Sequence, residues 1–437
     1  MSARQHAEGL IRFIQDSPSP WQAAEQVRRA LEAAGYTPLR EDEAWALRSG
    51  GRYYVLRDGS SIIAFQIGAK AAEVGLRVVG AHTDSPGLRV KPRGGSMRAG
   101  VMTVGVEIYG GPILATFADR DLTLAGRLLV KGADGALEQR LVAFTRPLLR
   151  LSTPAIHLNR EVNEQGLRFA AQEELPLILA VLDEQIPPDQ RFRDLLAARA
   201  GVASERIVSW ELAAVDTQPG ALIGANEEFI ASARLDNLAS CHAALTALLA
   251  APAAEGIAMC ALFDHEEVGS ESYKGAAGTF LGATVERLLE GIGLTTAQDR
   301  QRLLARSVLL SADMAHALHP NYARYYDQPH APIINAGPVI KLNAKQRYAT
   351  DAGGEAYFAA LCEQAGVACQ RYVHRNDMPC GSTIGPIVAA RMGIRTVDVG
   401  NPMWSMHSIR ECAGVADHDA MIRVLTRFYT DTAGLAL

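Results

Sequence analysis

Apolar residues fill every position of Ile257–Phe263, and the chain then turns polar at Asp264-His265-Glu266-Glu267. A short unbroken apolar run of this kind reads as a strand buried on both faces. Residues 76–80, 308–310 and 396–399 form shorter, mainly apolar runs, with Arg77 in the first and Asp398 in the last, and the first leads into a strand ending at His82. Residues 239–249 carry a helical pattern. Near the N-terminus, residues 5–35 read as two helices parted by Ser17-Pro18-Ser19-Pro20, a breaker followed by a helix start. Residues 53–66 read as a hairpin around Asp58-Gly59.

From about Gly94 the texture changes. Met102, Val104, Val106 and Ile108 alternate with Val101, Thr103, Gly105 and Glu107, which is strand periodicity. Residues 122–130 and 137–144 flank Asp134-Gly135 as a second hairpin. Alternating strands and helices resume near Ala231. The pattern predicts an α/β chain with a discontinuous catalytic domain, residues 1–93 and 231–437, and an inserted β-rich domain, residues 94–230.

Chemistry-bearing side chains sit at the ends of the apolar runs. Glu266 and Glu267 follow one, His82 another, Asp313 a third, and His407 comes shortly after the fourth. Asp236 precedes the helical pattern. In open α/β sheets, sites form at the carboxyl ends of strands. Taken singly, each residue has a plainer role: His82 as a turn residue, Asp236 as a helix N-cap, Asp313 as a polar strand end. Their joint occurrence points to metal. Two imidazoles with several carboxylates and no thiolate suit zinc, with cobalt or manganese as the other candidates. Charge also balances. Two divalent ions are offset by Asp236, Glu267, Asp313 and a bridging hydroxide, and near-neutrality favours a partly buried site. Glu266 then stays outside the metal shell as a base. Asp84 is a candidate to orient the His82 imidazole, or else a turn residue before Ser85-Pro86.

The segments AHTDSPGLRVKP, ARLDNLAS, DHEEVGS, SADMAHALHPNY and MHSIRE resemble, in order, the motifs of the aspartyl aminopeptidase family. These are dizinc exopeptidases on the co-catalytic zinc exopeptidase fold. The resemblance implies that His82, Asp236 and Asp313 hold one ion, and that Asp236, Glu267 and His407 hold the other, with Asp236 bridging. It implies a metal-activated water with Glu266 as acid and base. It gives the insert a dimerisation role and builds dimers into a tetrahedral dodecamer. It sets His157, in Ile156-His157-Leu158, at a partner's active site, and Lys341, Tyr348 and His316 against the substrate. Its members favour N-terminal Asp or Glu. A deacylase or carboxypeptidase on the same scaffold is the alternative within enzymes, and a non-catalytic assembly scaffold the alternative outside them.

Composition agrees with a soluble enzyme. The 437 residues are 48% hydrophobic, enough for a large core. A net charge of −5 offers no basic excess for nucleic acid. The six cysteines form no Cys-x-x-Cys pair and read as free thiols of a reducing compartment, so the expectation is cytoplasmic. No run approaches a membrane span, and the first ten residues lack a signal-peptide core.

Overall fold

The run Ile257–Phe263 becomes an interior strand of a nine-stranded mixed sheet. Its neighbours fall in the order Thr37–Leu39, Arg52–Arg57, Ser61–Ile67, Ile257–Phe263, Leu76–His82, Val308–Ala312, Arg395–Gly400, Val339–Leu342 and Gln370–Val373. The computed structural model describes residues 1–181 and 186–435.

Successive side chains on a strand face opposite ways, and this strand uses both. Ala258, Cys260 and Leu262 share a core with Leu238 and Leu245 of the helix Leu235–Ala250 and Leu425 and Phe428 of the helix Val415–Tyr429. Ile257, Met259, Ala261 and Phe263 share another with Phe280 and Leu288 of Phe280–Gly291 and with Leu303 and Leu304 of Ala297–Arg306. Each fully buried large apolar side chain contributes about 1.5–3 kcal/mol. Polar groups are therefore kept out of Ile257–Phe263 altogether and follow it at its carboxyl end. Four adjacent strands run parallel, Ile257–Phe263, Leu76–His82, Val308–Ala312 and Arg395–Gly400. Their carboxyl ends consequently open on one edge of the sheet. A five-stranded sheet, which includes Phe229–Ser232, Glu411–Gly414, Pro402–Trp404 and Ala315–His316, completes this unit.

The named strands of the second unit's sheet pair antiparallel: Leu137–Ala143, Leu122–Lys131, Ile207–Asp216, Gly87–Arg98, Val101–Tyr109 and Leu177–Val181, in that order. Met102, Val104 and Val106 point into its core beside Leu124, Leu128 and Leu212, while Ile108 is exposed. The helix Pro188–Ala200 adds Phe192 and Leu196 to that core.

The mixed α/β class expected from the pattern is what forms. The two units comprise Met1–Asp84, Gly220–Met406 and Glu411–Leu437, and Ser85–Pro219 with His407–Arg410. The sequence reading divides the chain at 93/94 and 230/231 instead. The difference has a register cause. Gly87–Arg98 already pairs with Val101–Tyr109 and Ile207–Asp216, whereas Ala221–Ile223 already pairs with Phe229–Ser232.

Candidate metal centre

Strand ends bring six of the expected residues together within the first unit. His82 closes its strand opposite Phe263 and is 1% exposed. Its Nδ1 is 3.0 Å from the carbonyl of Asp84, an oxygen that can only accept. The ring proton of neutral His82 therefore sits on Nδ1, and the lone pair of Nε2 faces the cleft. Around Nε2 stand Asp236 Oδ1 at 3.5 Å, Asp313 Oδ1 at 3.5 Å and Glu266 Oε2 at 3.9 Å.

Each carboxylate is set by its backbone. Asp313 follows the last residue of Val308–Ala312, and its N–H donates to Val399 O at 2.9 Å. Asp236 is non-helical, with φ −80° and ψ 106°, so its side chain is presented ahead of the regular helix. Its N–H donates to Glu411 Oε2 at 3.0 Å, and the Asn237 amide donates to Ala312 O at 2.9 Å. His265 is left-handed, with φ 66°, and starts the single turn Glu266–Val268. The N–H groups of Glu266 and Glu267 donate to the two carboxylate oxygens of Asp84, each at 3.2 Å. Asp84 thus holds the glutamate turn and lies beside His82 as well.

The donor set suits a divalent cation. Ligand atoms of His82, Asp236 and Asp313 lie within 4.8 Å of one another, and so do those of His82, Glu266 and Glu267. Two ligands on a tetrahedral zinc at ~2.0–2.1 Å would be ~3.3 Å apart, close to the 3.5 Å found here. Among the described residues, buried Nε2 of His82 has no hydrogen-bond donor or acceptor in good geometry. The charges also call for a cation. Burial, opposed by His82 and reinforced by Asp313, Asp84 and Asp236, pushes Glu266 up to about 8. Burial and Asp236 raise Glu267 well above the ordinary carboxylate range. Burial disfavours a charged His82, yet Asp236, Asp313 and Asp84 overcome it and raise its pKa. The metal-free cluster therefore retains protons where a cation would serve.

Beside this cluster lies an aromatic wall. Lys341 is buried; its Nζ donates to Met314 O at 2.9 Å, stands 3.7 Å from Asp313 Oδ2 and lies 5.4 Å from the Tyr348 ring centroid. Its first partners are thus Asp313 and a carbonyl. Tyr348 is buried and 6.5 Å from Tyr372, centroid to centroid. His316 is 5.5 Å from Tyr372 and 6.4 Å from His374. Burial, then Lys341 and His374, holds His316 down at about 4, so the ring is neutral.

Two expected residues belong to the second unit. His407 is half-buried, and its Nδ1 donates to Gly111 O at 3.1 Å, which leaves Nε2 as its acceptor. His157 is exposed on a turn between Ile156 and Leu158.

Sequence reasoning missed Glu411, Tyr372, His374 and Lys274. Glu411 ends the quoted motif MHSIRE, which was its one available signal. Tyr372 pairs with Lys341 in register across adjacent strands, a relation invisible without the sheet. His265, whose role the pattern left open, places Nδ1 2.9 Å from Ser272 Oγ.

With this geometry in hand, likeness to known proteins is informative. Residues 13–429 match the family described as aminopeptidase I zinc metalloprotease (M18). A protein of Stutzerimonas stutzeri (strain A1501) named "Probable M18 family aminopeptidase 2" is 50% identical over 427 residues, 97% of either chain. The cryo-EM structure of the Ape4 and Nbr1 complex contains a chain 38% identical, with a TM-score of 0.95, covering 99% of this chain and 86% of that one. The S. cerevesiae mApe1 dodecamer is 28% identical, with a TM-score of 0.84, over 97% of this chain and 96% of its own.

Proposed function

The chain belongs to the M18 family of aminopeptidase I zinc metalloproteases, and on that premise we propose that it removes Asp or Glu from peptide N-termini, using two divalent ions per chain and Glu266 as general base. As an M18 metalloaminopeptidase it hydrolyses the bond after an N-terminal residue, which leaves the deacylase, carboxypeptidase and scaffold alternatives without support.

The observation that carries the site reading is Nε2 of His82, buried and faced by three carboxylates within 3.9 Å. His82, Asp236 and Asp313 would hold one ion. Asp236, Glu267 and His407 would hold the other, an assignment that rests on the family resemblance. Zinc fits best, with cobalt or manganese as substitutes. Bound ions supply Lewis acidity, acidifying water and polarising the scissile carbonyl. The remaining work falls to the chain's own residues. Glu266, the most distant of the three carboxylates from His82, takes the proton of the attacking water and hands it to the leaving amine. Asp84 keeps the His82 proton on Nδ1 and so keeps Nε2 available.

Substrate choice is assigned to the wall. Lys341 is its buried cation and is proposed to meet the acidic side chain, sharing its charge with Asp313. His316, neutral at physiological pH, offers a hydrogen bond, and Tyr348 a ring edge. His157 is proposed to complete the site of a partner subunit, its exposed turn being available for such a contact. A dodecamer, the state of mApe1 in the structure cited above, would here weigh about 560 kDa from chains of 46.9 kDa. A cytoplasmic location is proposed from the six cysteines, all free thiols. Among the described residues, no helix is long and apolar enough to cross a membrane.

The test is a panel of aminoacyl chromogenic substrates, run with and without a chelator, on wild type and Lys341→Ala. Turnover of Asp and Glu substrates above neutral ones, abolished by chelation and selectively reduced in Lys341→Ala, is expected. A preference for Leu or Lys substrates, or an equal loss on acidic and neutral ones in Lys341→Ala, would remove the acidic pocket.

A further inference from the structure

Loop 264–275 is closed on itself by one buried cation. Lys274 is 2% exposed, and Asp264 is 0% exposed. The Lys274 ammonium lies 3.1 Å from Asp264 Oδ2 and 3.0 Å from Asp58 Oδ2. It also stands 5.2 Å from the ring centroid of buried Trp21. We propose that Lys274 is a positioning residue for the proton-handling turn, bolting Asp264 to the hairpin turn at Asp58 and so fixing where Glu266 and Glu267 stand.

The connections run in both directions from that hairpin. Ser61 Oγ donates to Lys274 O at 2.8 Å and accepts the Asp264 N–H at 2.8 Å, so one hydroxyl ties both ends of the loop. Ser60 O accepts the Thr83 hydroxyl at 2.8 Å, next to His82. The same four-residue corner, Asp58 to Ser61, therefore touches the strand end bearing His82 and the loop bearing the glutamates. Within the loop, Asp264 Oδ1 accepts the His265 N–H at 2.9 Å, and Ser270 N–H donates to His265 O at 2.8 Å. Gly275 permits the closure, because a Cβ there would meet Ser270 O at 2.2 Å.

A lysine this buried persists only with opposite charge at hand. Removing it takes away the ammonium that pairs with both Asp264 and Asp58 and leaves the His265 ring, 3.8 Å from Asp264 Oδ2, in its place on the loop side. Asp264 then has reason to turn outward, and Glu266 is only two residues away. Misplacing a reacting group by 1 Å costs ~10²-fold in rate. The ion-pair partners of Lys274, Asp58 and Asp264, are not among the proposed metal ligands, so its effect falls on turnover, through geometry. The inference rests on the reading of Glu266 as proton carrier.

Three variants test it: Lys274→Met, Lys274→Arg and Asp58→Asn. The last is isosteric, suits the left-handed backbone at Asp58 (φ 51°) and removes only one of the two ion pairs. Backbone hydrogen exchange of peptide 264–275 is read in metal-free protein, and kcat and KM in metal-loaded protein. Lys274→Met is expected to speed exchange and to lower kcat about tenfold, a part of the ~10²-fold limit, with KM little changed. Lys274→Arg should recover part of that loss, and Asp58→Asn should fall between. Unchanged exchange and kcat in folded Asp58→Asn and Lys274→Met, or a loss confined to KM, overturns the proposal. If Lys274→Met does not fold, Asp58→Asn alone decides it. Glu266→Gln, measured alongside, separates the two readings: wild-type turnover in it removes the proton carrier but leaves the exchange result to judge the clamp.

Discussion

Asp84 Oδ1 lies 3.4 Å from Nδ1 of His82, at a carboxylate that is 0% exposed. The same carboxylate accepts the N–H groups of Glu266 and Glu267. Asp84 thus meets the imidazole of one strand end, chiefly through its backbone carbonyl, and holds the glutamates of another through its side chain. Asp84→Asn replaces one accepting oxygen with a donor, which then opposes a backbone N–H. Metal affinity should fall about 10–100-fold, the range for losing such a supporting carboxylate. Zinc competition against a calibrated chelator measures it, and unchanged affinity would return Asp84 to a simple turn role.

Glu266 and Glu267 are neighbours with different expected losses. Glu266→Gln keeps shape and removes the base, so kcat should drop by at least ~10²-fold while metal stays bound. Glu267→Gln should instead weaken one ion. Kinetics paired with elemental analysis separates the two, and equal modest defects with full metal in both would contradict the assignment.

Stability without metal should depend on pH in a definite direction. Glu266 is raised to about 8, and Glu267 and His82 are raised as well. Between the ordinary glutamate value near ~4.3 and the raised one, the folded chain holds a proton that the unfolded chain has released. The stability this contributes is present at low pH and is lost as pH rises through the folded pKa. Each such proton costs up to ~1.4 kcal/mol per pH unit across that window. Metal competes with the same protons, so its stabilising effect grows with pH. Thermal melts of chelated and metal-loaded protein should diverge from pH 5.5 to pH 7.5. A constant gap would mean that the cluster is not the metal site.

His157 carries the claim of a shared site. His157→Ala should bind metal normally and turn over poorly. Mixed with His407→Ala after subunit exchange, it should regain activity, because some sites then combine intact halves. No recovery despite proven exchange, or a fully active monomer by light scattering, would rule out the shared site and leave His157 without a catalytic role.

Much of the fold was legible because burial on both faces leaves a direct trace. Ile257–Phe263 has no polar residue, and its ends match the strand observed. His82, Glu267 and Asp313 were legible for the complementary reason, since charge concentrates where those apolar runs stop. Less could be read where a residue's role depends on a distant one. Lys341 was set against the substrate by the family resemblance, but its distance from Asp313 follows from the sheet order, not from the chain. Lys274 went unread because its partners Asp58 and Asp264 are separated by over two hundred residues. The break near residue 84 was obscured because Gly87–Arg98 includes Lys91-Pro92-Arg93-Gly94-Gly95, which interrupts the alternation that marks a strand.

The central claim is that the His82 cluster holds two ions without which no peptide bond is cut. Titrating zinc into fully chelated protein, while following initial rates and bound metal together, tests it most directly. Activity should be absent at the start, should return as ions bind, and should level off near two equivalents per chain. Full activity in protein shown by elemental analysis to be free of metal would contradict it.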